Sequence, residues 1–357
     1  MKKKCNMLPK KGYDITFSIM KGIAIISVVL GHVFVGTSVE TIVNQYHLAT
    51  FFFVSGYFLK EKQILNLRVF FYKKFIHLYA PFMEFGVLFL LIHNILYHWH
   101  LESNSYGITG VIHELRNITI GLTSEEPLMG AMWFCPALLI VSIVSAIAVR
   151  MSLIFKNVYL KYILLFIFPC IGYVLCFFGI KSPRCIWEYM QISGIFIMGY
   201  LYNKIMHKVK EGNIYVYGVF FILLISIVVL YGNGVHANLQ PHMIRNENLI
   251  FALYIGGGAA IIVHCTSVII QKCQSLAVVL SMIGNYSFSI MALHFLCFKM
   301  VTLLYVLTYN KDIELLSSFP TISNNSLFWE LGYVFVGVFM PILIAFAYKR
   351  FLKSCNV

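Results

Sequence analysis

Charged residues are scarce in this chain. Only 11% of its 357 residues are Asp, Glu, Lys or Arg, while 60% are hydrophobic and the mean hydropathy is +0.81. A soluble globule of this size needs far more polar surface than these residues supply. The composition therefore excludes an ordinary soluble enzyme and predicts a protein that crosses a membrane many times.

Acidic residues and metal-ligand patterns are also few. The 14 Asp and Glu residues are outnumbered by 27 Lys and Arg, giving a formal net charge of +13. These basic residues lie in short segments between apolar runs, so membrane topology explains them and we expect no nucleic-acid partner. The nine cysteines lie mostly inside apolar runs without metal-ligand spacing, so we expect no bound metal.

The sequence lacks a convincing internal repeat, a low-complexity tract and an appended soluble domain. It contains ten apolar runs close to the length of about 20 residues that a bilayer requires. We predict an all-α membrane bundle of about ten transmembrane helices, in one domain over 1–357 with a short cytoplasmic tail at 1–14. The runs are 15–35, 42–59, 76–99, 132–150, 161–180, 187–203, 214–232, 248–270, 286–306 and 328–349.

The basic residues also predict an orientation. If the N-terminus is cytoplasmic, the inside segments, including both termini, hold twenty Lys and Arg residues and the outside segments hold five. Lys and Arg are held back on the cytoplasmic side during insertion. We therefore expect a multi-pass protein of the cell membrane with both termini in the cytoplasm.

The first apolar run contains the stretch KGIAIISVVLGH, with Lys21 at one end and His32 at the other. Eleven residues of α-helix bring His32 back to within about 20° of the direction of Lys21, roughly 16 Å along the axis. Ionisable groups in a bilayer usually face a polar cavity or a partner. The alternative is that Lys21 reaches the membrane interface with its long side chain while His32 binds a backbone carbonyl.

The second run contains YHLATFFFVSGYF, which predicts that His47 lies close to His32 at the same depth. Withdrawal from water favours neutral imidazole, the form that accepts a proton from a hydroxyl group. A metal site would need a third ligand, and the sequence offers no obvious one. Later in this run Gly56 follows Ser55, and the preferred interpretation of this pair is close helix packing.

Two further stretches carry ionisable residues. RVFFYKKFIHLYAPF places Arg68, Lys73 and Lys74 where they would contact lipid headgroups or a phosphorylated cofactor. NYSFSIMALHFLCFK places His294 and Lys299 within one apolar run. A His and a Lys together favour a solvated cavity over simple packing.

Four features in this order resemble the acyltransferase 3 family of multispanning membrane acyltransferases, particularly its fucose-O-acetylase-like members. They are KGIAIISVVLGH, HLATFFFVSGYF, RVFFYKKFIHLYAPF with the later AMWFCPALL, and IGNYSFSIMALHF. The resemblance covers about residues 15–350, and the ordered set is more specific than any one stretch. Two departures are Ser18, where many members carry Asp, and Lys21, where many carry Arg. Lysine keeps the charge but lacks the bidentate fork for phosphate.

The resemblance implies a membrane O-acyltransferase that moves an acetyl group from cytoplasmic acetyl-CoA to a sugar hydroxyl in a cell-surface or lipid-linked glycan. His32 would act as general base or as a transient acyl carrier. The catalytic candidates are His32, His47 and His294. The candidates for binding acyl-CoA are Lys21, Arg68, Lys73 and Lys74. The candidates for contact with the substrate are Ser55, Trp133 and Lys299.

The expected partners are therefore acyl-CoA, the sugar acceptor and membrane lipids. We expect the longest outer connection, 100–131, to serve as a lid over the acceptor. A transporter or flippase remains the alternative, since intramembrane His, Lys and Glu also build proton relays and substrate paths. Transporters usually show duplicated halves with interrupted spans in corresponding places, and this sequence shows neither clearly.

Overall fold

The chain is helical throughout the part that the structure describes. The structure, a computed structural model, describes residues 15–206, 214–244, 248–322 and 326–355. No strand occurs within these ranges, so the all-α prediction is confirmed. The predicted tail at 1–14 lies outside the described residues.

The α-helices follow one another with short connections. In chain order they are α1 (Ile15–Val33), α2 (Ser38–Asn44), α3 (His47–Tyr57), α4 (Glu61–Ile64), α5 (Leu67–Lys74), α6 (Ala80–His98), α7 (Ile108–Arg116), α8 (Phe134–Ser152), α9 (Val158–Phe177), α10 (Ile186–Met206), α11 (Ile214–Gly232), α12 (Pro241–Ile244), α13 (Leu249–Ile270), α14 (Gln274–Asn285), α15 (Ser287–Tyr309) and α16 (Leu327–Cys355). Single π-helical turns form at Phe75–Tyr79 and Asn117–Gly121. Turns of 3₁₀-helix form at Pro127–Met129, Pro183–Cys185 and Ile313–Ser317.

Seven helical segments among the described residues are long and apolar enough to cross a membrane, by length and composition. They are Ile15–Val33, Leu67–His98, Phe134–Ser152, Val158–Phe177, Leu249–Ile270, Ser287–Tyr309 and Leu327–Leu352. These segments indicate a multi-pass membrane protein. The predicted count of about ten spans is not confirmed.

Three of the predicted spans account for the difference. The run 42–59 is divided between α2 and α3, and the 11 residues of α3 extend only about 16 Å. The run 187–203 forms α10, whose 21 residues are long enough, but its polar side chains lower its hydropathy. The run 214–232 forms the 19-residue helix α11, in which Gly218–Gly232 is apolar.

Helix α1 lies between two hydrophobic cores because both of its faces are apolar. Phe17 and Met20 belong to a core with residues of α3, α8, α10 and α13. Ile25 and Val29 belong to a second core with residues of α6, α15 and α16. The stretch of α1 between Lys21 and His32 therefore runs along the boundary between the two cores.

Glycines bring α3 and α10 into direct backbone contact. A Cβ atom on Gly56 would lie 1.8 Å from the carbonyl oxygen of Phe196, and one on Gly199 would lie 2.0 Å from that of Phe53. No side chain fits in that space, so the two helices approach as closely as their backbones allow. The predicted packing role of Gly56 is confirmed.

We expect Gly56→Ala to lower the melting temperature of the purified protein, because overpacking a close contact costs about 1–3 kcal/mol or more. Thermal unfolding in detergent, followed by intrinsic fluorescence, measures the shift. Gly218→Ala is the matched control, since no atom of a described residue lies within 4 Å of a Cβ atom added there. Equal melting temperatures for the two variants would contradict the packing role of Gly56.

Candidate active site

A cavity of about 250 Å³, here called the central cavity, lies beside α1 where the two cores meet. Phe51, Leu78 and Met291 line it and pack against both cores. Its polar lining residues come from α1, α2, α3, α15 and two connections. They are Lys21, His32, Glu40, Asn44, His47, Ser55, Trp133, Gln240 and Ser287.

Lys21 and His32 line this same cavity. The two side chains therefore point in a common direction, as helix periodicity predicts. Lys21 is half-buried and makes no hydrogen bond or ion pair with a described residue. His32 likewise has no hydrogen bond to a described residue, and its ring packs against Phe295 with 4.8 Å between the ring centroids. The polar atoms of both side chains are therefore available for hydrogen bonds to a ligand in the cavity.

His47 lines the cavity beside His32, and its Nδ1 atom lies 2.6 Å from the carbonyl oxygen of Val43. A carbonyl oxygen only accepts, so Nδ1 carries the hydrogen. In the neutral ring, Nε2 then has a free lone pair. The backbone of α2 and α3 therefore fixes the tautomer of His47 and leaves Nε2 as an acceptor.

His294 lies behind His32 rather than on the cavity wall. The two rings stack with centroids 5.4 Å apart and planes at 23°. His294 Nδ1 donates to the carbonyl oxygen of Ile290 at 2.9 Å, and Nε2 has no hydrogen-bond partner among the described residues. The structure therefore brings the three predicted histidines together, with His294 packed against the ring of His32.

A second cavity, here called the basic cavity, has a volume of about 680 Å³ and adjoins the first. Lys62, Lys73, Lys74 and His77 line it, and Ser55 lines both cavities. The π-helical turn Phe75–Tyr79 separates them, placing His77 on the basic cavity and Leu78 on the central cavity. Such turns are frequent at functional sites because they redirect neighbouring side chains.

Helix α4 is fixed to α10 at the edge of the basic cavity. The carboxylate of Glu61 lies 2.6 Å from Lys204 Nζ and accepts a hydrogen bond of 2.8 Å from the hydroxyl of Tyr200. The hydrogen bond from Lys204, followed by that from Tyr200, lowers the pKa of Glu61. This contact holds the start of the segment that carries Lys62 and the basic helix α5.

Comparison with known protein families identifies the family of this chain. The family described as an acyltransferase domain matches residues 14–349. The chain belongs to the acyltransferase 3 family. No curated protein and no solved structure gives a significant match. The family predicted from the four sequence features is confirmed, and it supports acyl transfer as the activity of this membrane protein.

Besides His294, two predicted site residues of this acyltransferase 3 protein line neither the central nor the basic cavity. Arg68 is exposed and lines neither of them. Lys299 is buried, and its Nζ atom donates to the carbonyl oxygens of Leu316 at 2.8 Å and Ser318 at 2.9 Å. These two hydrogen bonds hold the turn Ile313–Ser317 against α15.

The acyltransferase 3 protein also has cavity residues that the sequence analysis missed. At the end of the cavity near His32, these are Glu40, Asn44 and Gln240. Asn44 lies three residues before His47, and that spacing was an available signal. No sequence pattern near Gln240 predicts that it lines the cavity, because its position depends on how the connection after α11 packs.

Proposed function

We propose that this acyltransferase 3 protein transfers an acetyl group from acetyl-CoA to a hydroxyl group of a sugar in a cell-surface or lipid-linked glycan. One observation carries the proposal: Lys21 and His32 line one cavity, and that cavity adjoins the basic cavity at Ser55. This arrangement suits a long donor with an anionic head and a reactive group at the far end of a narrow arm.

The head of acetyl-CoA would bind in the basic cavity. Lys62, Lys73 and Lys74 supply positive charge for its phosphates, and charge-assisted hydrogen bonds to phosphate are among the stronger polar contacts in proteins. Lys74 also packs over the ring of Phe70 at 5.7 Å, which restricts its ammonium group. The arm of the donor would pass Ser55 into the central cavity, where Lys21 contacts its polar groups or the nearest phosphate.

The thioester would then lie beside His32, roughly 16 Å along α1 from Lys21. His32 takes the proton of the acceptor hydroxyl as the hydroxyl oxygen attacks the thioester carbonyl carbon. The carbon–sulfur bond breaks, and the proton passes from His32 to the departing thiolate. In the covalent variant, a nitrogen of His32 attacks the thioester carbonyl carbon first, and the thiolate of coenzyme A leaves and takes up the proton of the ring. The acceptor hydroxyl then attacks the acetyl-imidazole, the carbon–nitrogen bond breaks, and the hydroxyl proton returns to the ring.

The other two histidines would have supporting roles. Nε2 of His47 has a lone pair and would accept a hydrogen bond from the sugar, orienting the attacking hydroxyl. His294 would keep the imidazole of His32 in place through ring stacking. We therefore assign proton transfer to His32 alone.

The acceptor would enter at the end of the cavity that holds Glu40, Asn44 and Gln240. Carboxylate and amide groups of this kind hydrogen-bond to sugar hydroxyls. Trp133 lines the same cavity and offers an apolar ring face to a sugar. The excess of basic residues in the segments assigned to the inside supports a cytoplasmic position for the Lys21 end and an outer position for the acceptor end.

Glycan mass spectrometry of cells with and without the gene tests this function. We expect one glycan class to lose the mass of an acetyl group when the gene is deleted and to regain it with the wild-type gene but not with His32→Ala. A transporter or flippase would instead change the amount or location of a glycan without changing its acetylation. That second pattern would contradict the proposed acyl transfer.

A further inference from the structure

A second group of ionisable side chains lies away from the central cavity, where the outer end of α6 meets the connection 99–133. It consists of His93, Glu102 and Glu126, with exposed fractions of 0%, 4% and 1%. One ligand atom from each side chain lies within 4.8 Å of those of the other two. None of the three residues lines the central or the basic cavity.

The hydrogen bonds of His93 define which of its nitrogens has a lone pair. Its Nε2 atom lies 2.9 Å from the backbone carbonyl oxygen of Asn104, so Nε2 carries a hydrogen and donates it. In the neutral ring, Nδ1 then has a lone pair directed at Glu126 Oε2, which is 2.7 Å away. This separation is that of a hydrogen bond, with one proton between the two atoms. A bound metal ion would replace that proton and move the two ligand atoms further apart.

The two carboxylates lack sufficient partners for such complete burial. Glu102 Oε1 and Glu126 Oε1 are buried with no hydrogen-bond partner among the described residues. The ammonium of Lys299 donates to two carbonyl oxygens and lies beyond ion-pair distance of both carboxylates in the described ranges, so it stabilises the Glu102 carboxylate only from a distance. Burying a carboxylate oxygen away from water without a hydrogen-bond partner is unfavourable. A bound cation would offset this cost of desolvation.

The surroundings of His93 hold its ring in a fixed orientation. The ring of Tyr106 stacks on it with centroids 3.8 Å apart and planes at 11°. Asn94 fixes the backbone of Tyr106 by two hydrogen bonds of 2.9 and 2.8 Å. Metal-ligating histidines commonly donate their second nitrogen to a backbone carbonyl in this way, and that bond orients the ligating nitrogen.

The group also has a route to solvent. Glu102 lines a polar pocket of about 410 Å³ together with Tyr97, His98, His100, Ser103, Glu314 and Ser317. An ion from outside would therefore reach the Glu102 carboxylate first, without passing through the apolar cores.

We propose that His93, Glu102 and Glu126 bind one divalent transition-metal ion, with Zn²⁺ as the preferred ion. One imidazole nitrogen and two carboxylate oxygens suit Zn²⁺, whereas Mg²⁺ and Ca²⁺ prefer oxygen ligands alone. The fourth position would be open to water from the polar pocket. The ion would tie the outer connection to α6 and fix the segment from Glu126 to Trp133, which lines the central cavity.

Zinc titration of the purified full-length protein tests the site. After treatment with a chelator, isothermal titration with Zn²⁺ should show binding of one ion per chain, and metal analysis after gel filtration should find one zinc. Glu102→Gln is the primary variant, because Glu102 makes no hydrogen bond to a described residue whose loss would disturb folding. We expect this variant to raise the Kd by at least about tenfold, since loss of an outer-shell partner alone already costs about 10–100-fold. Glu126→Gln should weaken binding similarly.

Glu125→Gln is the matched control. Glu125 is an exposed carboxylate 3.9 Å from His113 Nδ1, in a second His and Glu group on the surface of the same connection. This variant should bind Zn²⁺ as the wild type does. The proposal fails if the wild type binds no tighter than Glu102→Gln, or if Glu125→Gln loses the ion. Either result would leave a proton as the cation between His93 and Glu126.

Discussion

Replacing His32 with Ala should lower the rate of acyl transfer by about 10²–10⁴-fold, the usual contribution of a general base. The reason is geometric: His32 is the histidine that lines the central cavity with its ring free of hydrogen bonds to described residues. The same observation predicts that the variant folds and inserts normally, since no hydrogen bond within the described chain is lost. The effect should appear in kcat, with the apparent KM for the donor nearly unchanged.

The measurement is the initial rate of acetyl transfer by membranes that contain equal amounts of wild-type or variant protein. His47→Ala should reduce the rate less, because His47 only orients the acceptor in this mechanism. His113→Ala is the control, since that side chain is exposed and lies outside both cavities. Near-normal turnover by His32→Ala would remove His32 as the base and as an acyl carrier.

Lys21→Gln should raise the apparent KM for acetyl-CoA by about tenfold or more while leaving kcat nearly unchanged. A hydrogen bond to a charged group contributes about 1.5–3 kcal/mol, and Lys21 makes no such bond to a described residue. Its ammonium would therefore act mainly on the donor. Lys21→Arg should keep most of the affinity, because it preserves the charge and adds a bidentate fork.

Donor titrations on the purified variants check this prediction. Lys272→Gln, which removes an exposed lysine after α13, should leave the KM unchanged. If Lys21 is only an anchor for topology, Lys21→Gln will reduce the yield of inserted protein while the surviving protein keeps the wild-type KM. That outcome would contradict donor binding by Lys21 and leave the role of His32 intact.

Helix periodicity allowed the sequence to predict part of the site. Lys21 and His32 belong to one uninterrupted helix, so their shared direction depends only on the number of residues between them. His47 follows after a short connection, which restricts how far from His32 it can lie. Glu40 and Gln240 reach the cavity through tertiary packing. No periodicity within one helix predicts the position of such residues.

The same geometry explains why Lys299 lies apart from the cavity. Lys299 follows His294 by five residues, which places the two side chains about 140° apart around α15. One helix therefore could not direct both side chains toward His32, against which, of the two, only the ring of His294 packs. For a related reason the run 42–59 was predicted as one span, since hydropathy did not reveal the break between α2 and α3.

Transfer of labelled acetyl groups tests the central claim most directly. Membranes containing the protein are supplied with acetyl-CoA labelled in the acetyl group, and the label is then measured in the glycan fraction. We predict labelling with the wild type, loss of labelling with His32→Ala at equal protein, and recovery of Lys21→Gln labelling at high donor concentration. Equal labelling by wild type and His32→Ala, or none with either, would contradict acyl transfer through the central cavity.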